Sequence, residues 1–246
     1  MDIIKLDAID STSLFLKDLS KNGKIENFTT VVADEQYEGK GQMNTHWHSA
    51  KGKNLLFTIY ARLDGMSIDF LPFVNFLVAT QLQEVLTQYL GEKSKIRIKW
   101  PNDIMSYNQK IAGVLVENTL KGSKVGKTFI GIGLNVNQII FPDYLTNATS
   151  MKIISGKVFD KTTILEAVLK LLKKVLTTDY IKNNQEEIKE AYLGFLYKKG
   201  LPTMFQDKAG DVFMGKVITV SDSGLLKVEK EDDTVHTYAV KEIKFL

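Results

Sequence analysis

The segment Lys99-Trp100-Pro101-Asn102-Asp103 separates two stretches that have the pattern of β-strands. Residues 95–100, which overlap the start of this segment, alternate charged and apolar side chains. Residues 103–106, which begin at its last residue, form the next candidate strand. Proline has no N–H to donate to a ladder, so the chain must turn here or lie at a sheet edge. The turn would bring Lys99, Asn102 and Asp103 near one another. Asparagine and aspartate after proline also form turns that have no other role, and that interpretation stays open.

Apolar patterns on both sides of this segment predict an α+β fold. Alternating or β-branched stretches predict strands at residues 3–6, 28–33, 54–63, 95–100, 103–106, 110–118 and 127–137. Polar turns link the last three, and we interpret these strands as part of a meandering antiparallel sheet. Asp10-Ser11-Thr12-Ser13 resembles a helix start. Apolar spacing of three and four predicts further helices at residues 70–90, 162–176 and 185–196, the last two packing on one face of the sheet.

The pattern changes after Leu201, where short alternating segments are separated by turn residues. Residues 212–220, 225–229 and 234–240 are the candidate strands of a small β-barrel. A barrel this small is marginal alone and would dock on the larger part of the chain. We therefore predict two domains, residues 1–198 and residues 199–246.

Composition excludes several classes of protein. The 32 basic and 29 acidic residues are interspersed, which is not the pattern of a nucleic-acid-binding protein. The absence of cysteine excludes disulfides, thiolate metal sites and a cysteine nucleophile. No secretory signal and no run of about 18 apolar residues is found, so we expect no membrane association and a cytoplasmic location.

Three further segments suggest chemistry. Gly39-Lys40-Gly41 opens a polar stretch that continues through Gln42-Met43-Asn44-Thr45-His46-Trp47, and glycines beside a lysine can enclose a phosphate. A flexible surface loop is the alternative. Lys110 begins the apolar segment Ile111-Ala112-Gly113-Val114-Leu115-Val116-Glu117, where a lysine often only reaches for water. The segment Gly131-Ile132-Gly133-Leu134-Asn135-Val136-Asn137 holds two glycines, which indicate that another group approaches the strand closely.

Together with Ser11-Thr12-Ser13, these segments resemble the biotin protein ligase family in order and spacing over nearly the whole chain. The resemblance implies a mixed sheet with helices related to class II aminoacyl-tRNA synthetases, followed by a small C-terminal barrel similar to an SH3 domain. Because Ser11-Thr12 stands close to the start, we expect the form that lacks an N-terminal DNA-binding domain.

The implied activity is that of a biotin–[biotin carboxyl carrier protein] ligase, also called biotin–acetyl-CoA-carboxylase ligase. Biotin would react with ATP to give biotinyl-5′-AMP, and a lysine of a biotin carboxyl carrier protein domain would then take the biotin. ATP and Mg²⁺ are the implied cofactors, and biotin is a substrate. No nucleic acid or membrane is expected as a partner, and both a monomer and a homodimer remain open.

The resemblance also implies roles for individual residues. Lys110 would contact the biotin carboxylate and the α-phosphate, and Lys40 would hold phosphate oxygens, so both are predicted to be catalytic. The predicted biotin-binding residues are Ser11, Thr12, Ser13, Gln36, Gly39, Lys40, Gly41, Lys110, Gly113 and Leu115. The predicted ATP- and adenylate-binding residues are Lys40, Gly41, Gln42, Trp47, Asn102, Asp103, Lys110, Gly133 and Asn135. The metal ligands are left unassigned.

Some of these roles have alternatives. Ser11 and Thr12 also fit a helix cap, and Trp47 also fits a core anchor. Asp103 also fits a role in organising the acceptor lysine or the neighbouring loop. The loop departs from the family, which commonly has glycine-arginine-glycine followed by more basic residues. Lys40 keeps the charge but not the bidentate fork of arginine. We expect the loop to order when ligand binds and to close as a lid.

Three other functions fit the sequence less well than the ligase does. A lipoate or octanoate transferase shares the implied fold but would need a longer apolar tunnel and would not be expected to carry Lys99 to Asp103 in this form. A non-catalytic biotin sensor is supported by the altered loop alone, and retained Lys40 and Lys110 oppose it. Balanced charge opposes a DNA-binding regulator.

Overall fold

A computed structural model describes residues 2–23, 25–42 and 45–246. Met43 and Asn44, which belong to the predicted phosphate loop, lie outside the described residues. The helices are α1 (Thr12–Asn22), α2 (Leu71–Leu90), α3 (Met151–Ser155), α4 (Lys161–Val175), α5 (Thr178–Asn183) and α6 (Gln185–Gly194). Short 3-10 helices at Ile68–Phe70 and Glu92–Ser94 flank α2.

The larger sheet has seven strands within the described residues, in the order β1-β2-β3-β7-β6-β5-β4. Its strands are β1 (Ile3–Ile9), β2 (Thr30–Gln36), β3 (Leu55–Ala61), β4 (Ile96–Lys99), β5 (Asp103–Ser106), β6 (Gln109–Lys121) and β7 (Lys124–Leu134). Strands β4 to β7 form the predicted antiparallel meander. Strands β1 and β2 pair in parallel, so the sheet is mixed, as the family resemblance implies. Parallel neighbours need a crossover, and α1 provides it.

Alternate residues of each strand point to opposite faces of this sheet. Both faces carry apolar side chains, and helices cover both. On one face α1 packs through Leu16 against Val31, Tyr60 and Phe129. On the other face α2, whose buried residues run from Phe73 to Leu86, lies in the main core, and α4 and α6 pack there with it as predicted. None of the helices in the described ranges combines the length and the apolar character needed to cross a membrane.

A second sheet follows, with five strands in the described part of the chain. They are β8 (Pro202–Asp207), β9 (Val212–Val220), β10 (Leu226–Lys230), β11 (Val235–Tyr238) and β12 (Ile243–Phe245). All of its pairs are antiparallel, in the order β11-β10-β9-β8-β12. Strands β8 and β12 are additional to the three predicted ones. The predicted domain boundary between residues 198 and 199 remains a proposal, which the position of this sheet supports.

Polar contacts between described residues help to attach the second sheet to the first part of the chain. The indole Nε1 of Trp100 donates a hydrogen bond of 2.9 Å to the carbonyl oxygen of Gly224. Lys189 of α6 forms an ion pair of 2.6 Å with Asp222. The Trp100 side chain is buried, so the tryptophan beside Pro101 joins the two parts of the molecule.

Candidate active site

A cavity of about 320 Å³ lies on the α1 face of the larger sheet, beside the N-terminal end of α1. Its volume is within the range of small-molecule sites. It brings together most of the residues predicted from the sequence: Ser11, Thr12, Ser13, Gln36, Lys40, Gly41, Gln42, Trp47, Asn102, Asp103, Lys110, Gly113, Leu115 and Gly133. Gly39 is not among its lining residues, and Asn135 lines a neighbouring cavity instead.

Strand register makes the floor of this cavity. Gly133 pairs with Leu56 on one side and with Gly113 on the other, and Gly113 pairs with Asp103. Gly133 and Gly113 are therefore neighbours on adjacent strands, and the carboxylate of Asp103 is on the next strand beside Gly113. Because the glycines have no side chains, another group can lie directly on the sheet there.

The indole of Trp47 lies on these two glycines. A Cβ atom added at Gly133 would stand 2.7 Å from Trp47 Nε1, and one added at Gly113 would stand 3.1 Å from Trp47 Cζ3. Trp47 is held there by its backbone N–H, which donates to the carbonyl of Gly39 at 2.8 Å. Its half-buried ring thus covers the cavity floor and does not join either hydrophobic core cluster.

The residues around Trp47 form a narrow turn. Lys40 and His46 form an antiparallel bridge, and the Gly41 N–H donates to the Thr45 carbonyl at 2.7 Å. This geometry brings Lys40 to the rim of the cavity. The idea that the loop orders only with ligand stays a prediction.

One end of the cavity is a buried polar recess. Thr12 donates from both its backbone N–H and its hydroxyl to Gln36 Oε1, at 2.8 and 2.9 Å. The Thr12 hydroxyl also lies 2.8 Å from the hydroxyl of Thr58. These contacts fix the amide of Gln36 so that its oxygen faces Thr12. Thr58 was missed by the sequence analysis, because strand β3 is buried along its whole length and has no pattern that marks one residue.

Ser11 and Ser13 complete this end. Ser11 occupies the N-cap position of α1, yet its side chain makes no capping hydrogen bond. The Ser13 hydroxyl donates to Glu117 at 2.6 Å, and Glu117 also pairs with Lys17 at 2.6 Å. Burial raises the pKa of Glu117, but the hydrogen bonds from Lys17 and Ser13 outweigh it, and the pKa lies below its ordinary value. Glu117, another residue without a predicted role, holds the Ser13 hydroxyl.

The opposite end of the cavity carries charge. Lys110 Nζ lies 2.6 Å from Asp103 Oδ1 and 5.3 Å from the centre of the Trp47 ring. The Lys110 backbone is fixed by hydrogen bonds with the Asn147 carbonyl and the Thr149 N–H. Lys110 therefore has defined partners at the cavity and is more than a surface lysine reaching for water.

The turn at residues 99–103 has the predicted shape. Lys99 and Asp103 are direct partners in the ladder between β4 and β5. The Trp100–Pro101 peptide bond is cis. The side-chain amide of Asn102 donates to the carbonyl of Val114, which ties the turn to β6. Asn102 thus has a structural contact, and its predicted contact with the adenylate stays a prediction.

A second cavity of about 280 Å³ adjoins the first, and His46, Trp47 and Lys110 line both. Its other lining residues are His48, Asn135, Phe141, Tyr144, Leu145, Thr146, Asn147 and Ala148. Asn135 donates to the Thr149 carbonyl at 2.9 Å, which leaves its buried Oδ1 without a partner among the described residues. Trp47 Nε1 is likewise buried and unpaired there. Buried polar atoms without partners are costly, so this pair indicates a place for a polar ligand.

Comparison with known proteins identifies the family. The model of the biotin/lipoate A/B protein ligase family matches residues 6–135. The bifunctional ligase/repressor BirA of Bacillus spizizenii is 31% identical over 241 residues, which cover 96% of this chain and 72% of that protein. This chain belongs to the biotin/lipoate A/B protein ligase family. The family predicted from the sequence motifs is therefore confirmed.

Other family members extend the comparison. The biotin–protein ligase of Homo sapiens is 30% identical over 221 residues, covering 84% of this chain and 29% of that protein. The structure of the Aquifex aeolicus biotin protein ligase in complex with biotin and ATP covers 100% of this chain and 98% of that chain, at 24% identity and a TM-score of 0.77. The predicted α+β fold, with a mixed sheet, helices and a separate C-terminal sheet, is that of the biotin protein ligase structures.

In this family member, Gly133→Ala should displace the Trp47 indole and shift its fluorescence emission to longer wavelength. The added methyl would stand too close to the ring to be accommodated. Steady-state fluorescence measures the shift, and Trp47→Phe shows the share of the emission that this residue contributes. Gly131→Ala is the matched control on the same strand, because the nearest neighbours of its Cβ would be Leu115 and Thr58, at an ordinary contact distance of 3.7 Å. Unchanged emission in Gly133→Ala would contradict the packing described above.

Proposed function

We propose that this protein activates biotin with ATP as biotinyl-5′-AMP and transfers the biotin to a lysine of a biotin carboxyl carrier protein domain. The observation that carries the proposal is the position of Lys110, which lines both cavities. One cavity has a polar recess at one end, and the other has polar atoms that lack partners among the described residues. A cation at their junction fits a reaction between a carboxylate and a phosphate.

The polar recess fits the ureido ring of biotin. That ring offers a carbonyl acceptor and two N–H donors, so its pocket needs donors and acceptors at the end of an apolar passage. Ser11, Thr12, Gln36 and Thr58 supply hydroxyl and amide groups at this end. Because Gln36 accepts from Thr12 through Oε1, its Nε2 is available to donate to the ureido carbonyl. The biotin carboxylate would then lie toward Lys110.

The second cavity fits the adenosine part of ATP. Trp47 offers an indole for stacking, and the unpaired Oδ1 of Asn135 offers an acceptor for an amino group. Trp47 already lies 5.3 Å from Lys110, so a base against its ring would bring the α-phosphate near the lysine. This assignment gives Trp47 a ligand-binding role.

The proposed reaction needs no protein nucleophile. A carboxylate oxygen of biotin attacks the α-phosphorus, and the bond to the bridging oxygen breaks to release pyrophosphate. Lys110 neutralises the charge that builds on the α-phosphate, and Lys40 holds phosphate oxygens at the rim. The acceptor lysine then attacks the acyl carbon as a free amine, AMP leaves, and the amine gives up a proton. Asp103, whose Oδ1 lies 2.6 Å from Lys110 Nζ, holds the ammonium of that lysine in position.

We propose Mg²⁺ as the metal that accompanies ATP. The described residues contain no group of three or more histidine, aspartate or glutamate side chains arranged for a metal ion. Asp103 is the one carboxylate among the described residues that line the main cavity. This fits Mg²⁺, which takes phosphate and water oxygens with few protein ligands and neutralises phosphate charge when bound. We further propose that the protein acts in the cytoplasm, where ATP is available.

Biotin-dependent exchange of labelled pyrophosphate into ATP tests the first half of the reaction. Mass spectrometry of an added carrier domain tests the second half, with a mass gain of one biotin expected. Lipoate and octanoate serve as competing substrates, because the family includes lipoate ligases. Exchange that depends on lipoate and not on biotin would replace the proposed substrate. Biotin binding without any exchange would favour a sensor.

A further inference from the structure

The polar recess at the Thr12 end of the main cavity has a defined hydrogen-bond polarity. Gln36 Oε1 accepts from the Thr12 backbone N–H, which can only donate, so the orientation of the Gln36 amide is fixed. The Thr12 hydroxyl lies 2.9 Å from the same oxygen and gives its single proton to it. The proton in the 2.8 Å contact between Thr12 and Thr58 therefore comes from Thr58. Thr58 also lines the cavity, where its hydroxyl oxygen is left only to accept.

Glu117 sets the polarity of a second hydroxyl at this end. Ser13, which is buried and lines the cavity, donates to Glu117 Oε2 at 2.6 Å. Lys17, about one helical turn after Ser13 on α1, lies 2.6 Å from the other carboxylate oxygen. Despite its burial, Glu117 has a pKa below the ordinary value because Lys17 and Ser13 donate to it, so near neutral pH it is a carboxylate that only accepts. Ser13 therefore gives its proton to Glu117 and meets a ligand only as an acceptor.

Glu117 is not itself among the residues that line the cavity. It lies on the same face of β6 as Gly113 and Leu115, which do line it, because residues two apart on a strand point to the same side. The carboxylate stands one step beyond the cavity, behind the Ser13 hydroxyl. Its effect on a ligand in the recess therefore passes through Ser13.

These contacts give the recess two acceptors and one donor. The acceptors are the hydroxyl oxygens of Ser13 and Thr58, and the donor is Nε2 of Gln36. A ureido ring carries two N–H donors and one carbonyl acceptor, which is the complementary set. The dithiolane ring of lipoate and the alkyl chain of octanoate have no N–H to donate. A site built to receive N–H donors discriminates strongly against a ligand that lacks them.

We propose that Glu117 is a positioning residue for substrate choice, which holds the Ser13 proton so that the recess selects a ring with N–H donors. This inference rests on the proposed function, because it deepens the assignment of the recess to the ureido ring of biotin. Glu117→Gln should invert the polarity of Ser13. Lys17 can only donate, so the one oxygen of the new amide would turn to Lys17 and its NH₂ group to Ser13. The Ser13 proton would then point at the ureido N–H, donor against donor.

Titration of biotin without ATP tests this inference. The dissociation constant should rise about tenfold in Glu117→Gln, as expected when one hydrogen bond in the recess is lost. In a Ser13→Ala background the same substitution should change it by less than about twofold, because no hydroxyl is left to orient. Two cyclic carbamate analogues of biotin, each with oxygen in place of one ureido N–H, probe the polarity directly. One of them should bind Glu117→Gln at least as tightly as wild type, because its ring oxygen accepts the inverted Ser13 proton.

Asp18→Asn is the matched control. Asp18 is an exposed carboxylate on the same helix, paired with Lys21 at 2.8 Å, and it lines neither cavity. This variant should keep the wild-type affinity for biotin. An unchanged dissociation constant in Glu117→Gln would overturn the inference, and so would an equal loss with and without the Ser13 hydroxyl, which would indicate a role in cavity shape. Weaker binding of both carbamate analogues to Glu117→Gln would also overturn it. Wild-type protein that binds lipoate and not biotin would instead refute the proposed function.

Discussion

Lys110→Ala should slow biotin-dependent pyrophosphate exchange by about 100- to 1000-fold, the usual effect of removing one group that stabilises developing charge. The ammonium lies at the junction of the two cavities, where the proposed reaction builds charge on the α-phosphate. The loss should appear in kcat as well as in kcat/KM, because the contact strengthens in the transition state. Exchange at saturating biotin and ATP measures it directly.

Lys110→Ala also removes the ion-pair partner of Asp103, so the effect of an unpaired carboxylate on exchange needs its own control. The double variant Lys110→Ala, Asp103→Asn removes the carboxylate charge as well. If the unpaired carboxylate repelled ATP and caused the loss, the double variant would recover activity. We expect no recovery. Lys121→Ala, an exposed lysine at the far end of β6, serves as the matched control and should retain full exchange.

Much of this site can be predicted from the sequence, because residues close together in the chain determine its turn and its strands. Proline and asparagine in the segment at residues 99–103 mark a turn, and the structure pairs Lys99 with Asp103 across it. Two glycines in one predicted strand indicate a close approach, and Trp47 lies on Gly133. Strands β5 and β9 have the predicted bounds, because turn-forming residues flank both segments.

Features that depend on distant pairing could not be read from the sequence. The parallel pairing of β1 with β2 needs the position of α1, which no local pattern supplies. Glu117 reaches Ser13 across more than a hundred residues of chain, and Thr58 meets Thr12 only through the sheet register. Strand β12 is three residues long, too short for a period to show.

The position of Trp100 depends both on a local sequence motif and on a contact with a distant part of the chain. Asn102 and Asp103 of its sequence motif are predicted to bind the adenylate, whereas Trp100 has no predicted role and is not among the residues that line the main cavity. The indole is buried and donates to Gly224 of the second sheet. Val240 and Lys241, in the turn between β11 and β12 of that sheet, are among the residues that line the main cavity. The motif therefore has two effects on the site. Asp103 lines the cavity itself, and Trp100 helps to attach the second sheet, whose turn residues line the same cavity.

Trp100→Ala should lower the free energy of unfolding by about 3–5 kcal/mol, the range for truncating a large buried aromatic side chain. Urea unfolding followed by circular dichroism measures the loss. Trp100→Phe keeps a ring but leaves the Gly224 carbonyl without its donor, so about 1 kcal/mol should be lost. A Trp100→Phe protein as stable as wild type would show that the hydrogen bond contributes nothing to attachment.

Trp47→Phe is the matched comparison, because the Nε1 of Trp47 is buried without a partner among the described residues. Losing an unpaired donor costs no hydrogen bond, so the stability of Trp47→Phe should stay within about 0.5 kcal/mol of wild type. For ATP the order should reverse, with Trp47→Phe weakening binding more than Trp100→Phe does. The two tryptophans would then separate cleanly: Trp100 stabilises the attachment of the second sheet, and Trp47 contacts the nucleotide. Equal effects of both substitutions on stability and on ATP binding would contradict this division.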